Sequence, residues 1–171
     1  MLELLGHRVQ DGVIRRLIAK KINAQKTRRV RFGRPPRGDA GAAGKPETFD
    51  FLGFTHYGGK SPQGHSVVKK ETAQGRYTRA LRAIKEWGWE HRHEPLKEQQ
   101  RKLNEKLRGH DAYYGVSGNY RMLQRLRWEV AKKGRKWLAR RNRGNGPNWQ
   151  QFGSILRAFP LTPARVIHSP M

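Results

Sequence analysis

The sequence predicts an α+β chain that is mainly α, with a small antiparallel β element followed by a bundle of three to four helices. Two observations predict this. Thr48–Phe54 (TFDFLGF) and His65–Lys70 (HSVVKK) are short strand-like runs that flank the turn-rich YGGKSPQG of Tyr57–Gly64. From Arg76 onward, apolar residues recur three or four positions apart, which is the helical period.

Taken in order, the first 24 residues carry Leu5, Val9, Val13, Leu17, Ile18 and Ile22 at helical spacing, weakened in the middle by Asp11-Gly12. Thr27–Phe32 (TRRVRF) alternates and predicts a short strand. GRPPRGDAGAAGKPE, Gly33–Glu47, is rich in Gly, Pro and Ala and predicts an irregular linker. The β element then occupies 48–70, with its turn at Tyr57–Gly64. Tyr77, Leu81, Ile84 and Trp87 predict a first helix, interrupted near its end by Gly88 and closed by HRHEP. Pro95 suits the first turn of a second helix running to Gly109. The third and longest spans about Asn119–Arg143, with a stripe of Leu123, Leu126, Val130, Trp137 and Leu138. After the loop RGNGPN, a last helix covers Trp149–Phe159 and stops before Pro160.

Composition narrows the function. The 171 residues include 37 Lys+Arg against 13 Asp+Glu, a net charge of +24. Such an excess repels itself in a compact fold unless an anion neutralises it, and nucleic acid is the usual partner. No stretch approaches the roughly 20 apolar residues of a membrane span. The N-terminus shows no secretory signal, and the absence of cysteine excludes disulfides, thiolate-bound zinc and thiol nucleophiles. Together these fit a cytoplasmic protein without a membrane partner. Five Trp and five Tyr argue against a disordered basic tail.

No catalytic or metal site is expected, and no cofactor. Asp11, Asp39, Asp50 and Asp111 are scattered, whereas two-metal phosphoryl chemistry needs clustered carboxylates. Glu86, Glu90, Glu94 and Glu98 recur every four residues, but read better as solvated positions whose register Pro95 interrupts. His91 and His93 lack a third ligand nearby. Gly33, Gly38 and Gly41 do not have phosphate-loop spacing.

The third helix stands apart. Between Asn119 and Arg143 the sole acid is Glu129, so its cations lack the i, i+4 partners of an ordinary surface helix. Its Arg-rich composition suits bidentate phosphate contacts. RNA contact is therefore assigned to Arg121, Arg125, Arg127, Lys132, Arg135, Lys136, Arg140, Arg141 and Arg143. Tyr113 and Tyr114 stand in front of this helix, within GHDAYYGVSGNYRML. Two roles are open to them: stacking on bases, or packing the turn that fixes where the helix starts. Asn119 or Ser117 is expected to cap that start.

Several stretches carry a family resemblance. FDFLGFTHYGGKS, LRGHDAYYGVSGNYRMLQRLRWEV and RKWLARRNRGNGPNWQQFGSILRAFPLTPARVIH, preceded by KTRRVRFGR, resemble the C-terminal part of bacterial group II intron reverse transcriptase/maturases, in the family's order, over Lys26–Pro170. The resemblance implies that FLGF closes the reverse transcriptase fold. It also implies that the helices form the thumb, or maturase-specific X domain, which binds intron RNA and assists splicing. His7–Ala24 resembles a segment far upstream in the same proteins, so the palm with its Tyr-x-Asp-Asp motif is missing from the order. The resemblance also leads us to expect no C-terminal zinc endonuclease domain.

The organisation it implies is a helical remnant at 1–24, the end of the reverse transcriptase fold at 25–70 and a thumb/X-type bundle at 71–171. The leading expectation is an RNA-binding maturase fragment that is not an enzyme on its own. Two rivals remain: the C-terminal part of a split reverse transcriptase that needs a separate palm-containing chain, and a decayed remnant.

Overall fold

The computed structural model describes residues 47–141 and 145–168. The helix expected within 1–24 and the strand at 27–32 lie outside these residues. The described chain forms strands β1 (Thr48–Phe51), β2 (Phe54–Lys60) and β3 (Ser66–Thr72), then helices α1 (Gln74–Glu90), α2 (Leu96–Tyr114), α3 (Tyr120–Arg141) and α4 (Trp149–Ala158). This is the expected class, mainly α behind a small antiparallel sheet.

The sheet is a meander of order β1-β2-β3, and the sequence reading of it needs two corrections. TFDFLGF is not one strand. Phe51 pairs with Phe54 across Leu52-Gly53, so the segment is itself a hairpin. Both turn residues have positive φ, 48° and 79°, as a type I′ turn requires. The usual Asn-Gly signal is absent because Leu occupies the first position. Nor is Tyr57–Gly64 all turn. Tyr57, Gly58, Gly59 and Lys60 pair with Lys69, Val68, Val67 and Ser66 in β3. The turn proper is Ser61–Gly64, closed by Ser61 N–H donating to His65 O at 2.9 Å. At Gly59 the exposed stem of Lys69 lies where a side chain would start.

The core lies among the helices, built from Tyr77 and Ile84 of α1, Leu103 and Leu107 of α2, and Leu126, Val130 and Trp137 of α3. Trp87, Met122 and Leu161 pack against it. The predicted stripe of α3 is the buried face, except that Leu138 is only half-buried. Gly88 does not interrupt α1. It is buried within the helix, and a Cβ there would overlap the six-membered ring of Trp137. The helix loses roughly 1 kcal/mol of intrinsic preference at that glycine and gains a slot for the indole.

Helix α2 also outruns its expected end. Gly109 sits inside it, and the helix stops at Gly115, where a Cβ would meet the carbonyl oxygens of Asp111 and Arg165. The chain past α4 comes back to this point. Gln100 and Asn104 donate to Pro160 O at 2.9 and 3.1 Å, and Thr162 N–H donates to Asn104 Oδ1 at 2.7 Å. Ile167 and His168 N–H donate to Gly115 O at 2.7 and 2.8 Å. Residues 160–168 thus form a strap along α2. Helix α4 starts where expected, behind Asn148 and Gln151, which form a reciprocal capping box.

Candidate nucleic-acid interface

The nine cations of α3 are not equivalent. Leu123, Leu126, Val130 and Trp137 point inward, so the charges fan over the remaining surface. Four bond within the protein itself. The Arg127 guanidinium pairs with the buried Asp111 carboxylate, and its other N–H groups donate to Thr162 O at 3.0 Å and Leu123 O at 3.1 Å. Arg141 donates to Glu94 O at 2.6 Å, Arg135 to Pro147 O at 3.2 Å, and Lys132 pairs with Glu129 at 3.1 Å. Arg127 is therefore built into the fold, its side chain 11% exposed.

Arg121, Arg125, Lys136 and Arg140 are exposed, and Lys133 and Arg135 half-exposed. Three of these lie over aromatic rings: Arg125 5.4 Å from the Tyr77 centroid, Arg135 4.4 Å from Trp149 and Arg140 5.0 Å from Trp89. Such stacking holds a guanidinium in place while leaving its edge for a phosphate. Arg143 lies outside the described residues.

Between α1 and α3 runs a groove of ≈ 600 Å³. Lys85, Glu86 and Trp89 line one wall, and Lys133, Lys136 and Arg140 the other. Arg92 also stacks on Trp89, 4.2 Å from its centroid. Reading the sequence missed Lys85, Trp89 and Arg92, because only tertiary packing brings α1 beside α3. Among the described residues, no three His, Asp or Glu side chains gather as a metal site, and no helix is long and apolar enough to cross a membrane.

Tyr113 and Tyr114 occupy the last turn of α2, not a loop, and face the β hairpin. The Tyr113 hydroxyl donates to Leu52 O at 2.9 Å, tying down the positive-φ turn. Its ring stacks on Phe54 with centroids 6.0 Å apart. Tyr114 meets Phe54 edge-on at 5.3 Å and stacks on His110 at 4.6 Å. Burial raises the Tyr114 phenol above its usual pKa, against the pull of Arg76, and burial also lowers the His110 imidazole below its own. Tyr113 is still 52% exposed. Tyr114→Ala is expected to cost about 2 kcal/mol, less than the roughly 3–5 of a fully buried aromatic because the ring is only half-buried. Thermal melts beside RNA binding check this. A Tyr114 variant that melts like its parent but binds RNA tenfold less tightly would make the ring a base contact instead.

Asn119 departs from its expected role as a helix cap. Its side chain is fully buried and crosses to the sheet, accepting from Thr72 N–H at 2.9 Å and donating to Thr72 Oγ1 and Tyr114 O, both at 2.8 Å. The helix start is held by its backbone carbonyl, which accepts from Met122 and Leu123 N–H. One residue thereby clips β3, the end of α2 and the start of α3 together, and this fixes the direction of the basic helix.

The group II intron, maturase-specific domain family model matches residues 77–153, from Tyr77 in α1 to Gly153 in α4. All nine α3 cations lie within that range. No curated protein and no solved structure matches the chain.

Proposed function

We propose that the chain, whose residues 77–153 match the group II intron, maturase-specific domain family model, is a cytoplasmic RNA-binding maturase fragment that binds group II intron RNA and assists its splicing, without polymerase activity of its own. The observation that carries this is α3: nine cations against one acid, five of them left over after internal pairing. A solvated helix gains nothing from so unbalanced a face, whereas a polyanion does.

The test is RNA affinity as a function of salt, measured by filter binding on an intron RNA. Each neutralised phosphate contributes a log–log slope of about −0.7 to −0.9, so five contacts predict roughly −3.5 to −4.5. Arg125→Ala or Arg140→Ala should each flatten the slope by about one contact and leave the melting temperature nearly unchanged. A flat response between low and moderate salt would return the charge to solvent and remove the basis of the proposal.

A further inference from the structure

The side of α3 turned away from the core carries an aromatic surface, of which the cation contacts above use only the seat of Arg135 on Trp149. Trp128 falls outside the buried stripe and is 58% exposed, and Trp149, which opens α4, is 52% exposed. Their rings are nearly parallel, 6° apart in plane, with centroids 6.1 Å apart. Leaving two indoles in water is costly for a chain with so little apolar residue to spend, since each buries a large area when covered.

The pair is also fixed. Trp149 abuts the buried Phe152 edge-on, and Asn148 and Gln151 cap the helix beneath it. Arg135 stacks on Trp149 and donates to Pro147 O at 3.2 Å. Helical spacing places Arg121, at i−7, and Arg135, at i+7, on the same face as Trp128. Rigid π-faces bordered by cations are what a nucleotide chain needs: the base stacks and its phosphates meet the arginines.

We propose that Trp128 and Trp149 form a stacking ledge for unpaired RNA bases, so that this face selects single-stranded over duplex RNA. Bases within a duplex are already stacked on their neighbours and offer the ledge no free face, while phosphates are present in both forms. The ledge rests on the RNA-binding reading above and adds to it the state of the RNA.

The full chain is titrated with oligouridine and with a duplex RNA of equal length. Trp128→Ala should weaken oligouridine binding by roughly tenfold and duplex binding by about twofold at most. Trp128→Phe, which keeps a ring, should restore most of the loss. Because Trp149 touches the core, Trp149→Phe is its variant of choice, and its melt should match the parent. Equal losses on both RNAs, or no loss on either, overturn the ledge while the parent still binds RNA. A parent that binds neither RNA overturns the broader reading and the ledge with it. If Trp128→Ala leaves both affinities intact and turns a self-associated chain into a monomer in sedimentation, the indoles are a protein contact and the proposal fails.

Discussion

Asp111→Ala is expected to destabilise the protein by about 3–5 kcal/mol, the range for leaving one member of a buried ion pair alone. The Asp111 side chain is 3% exposed and that of Arg127 11%, so the stranded guanidinium would have little access to water. The same carboxylate accepts from Arg165 N–H at 3.1 Å, so the strap loses a fastening as well. Urea melts measure the loss. Replacing both partners together, Asp111→Leu with Arg127→Met, should recover much of it, because paired apolar side chains avoid the desolvation cost of the charges. If Asp111→Ala melts within about 1 kcal/mol of its parent, the ion pair contributes far less than its burial implies.

Trp137→Ala should cost about as much, roughly 3–5 kcal/mol, as a large core ring is replaced by a cavity. The informative experiment couples it to Gly88. In the parent, Gly88→Ala forces the new methyl into the Trp137 ring and should destabilise by about 1–3 kcal/mol despite alanine's better helix preference. In the Trp137→Ala background that overlap is gone. Gly88→Ala should then be neutral or stabilising by up to about 1 kcal/mol. A double-mutant cycle reads the difference as coupling between the two positions. Additive effects would mean that α1 moves away from the ring at little cost.

Helix positions were readable from the sequence wherever an apolar stripe met the core, because burial imposes that period directly. The stripe of α3 and the start of α4 are examples. The misplacements share one cause, a contact with a residue distant in sequence. Gly88 reads as a breaker until Trp137 is seen beside it. Gly109 reads as the end of α2, but the helix ends at Gly115, where the backbone of Arg165 arrives. Asn119 has the chemistry of a cap, yet its partner is Thr72, 47 residues earlier. The site divides in the same way. The excess of cations on α3 was legible because their lack of acidic neighbours is local. That Arg127 and Arg141 are consumed internally was not, since their acceptors lie 16 and 47 residues away. Trp128 left a signal that went unused: it falls between Leu126 and Val130, off the buried register.

The strap of residues 160–168 has a consequence for synthesis on the ribosome. It is translated after every helix it fastens. While α2 and α3 emerge, Asn104 has no Pro160 and Thr162 to bond, Asp111 has no Arg165, and the end of α2 has no Ile167 or His168 at Gly115. The nascent bundle can collapse around Leu107 and Leu126, but buried polar groups left without partners hold it short of its full stability. Completion waits for His168 to clear the exit tunnel. Until then the most basic of the described helices is displayed on a half-finished domain, beside ribosomal RNA, the most concentrated polyanion within reach.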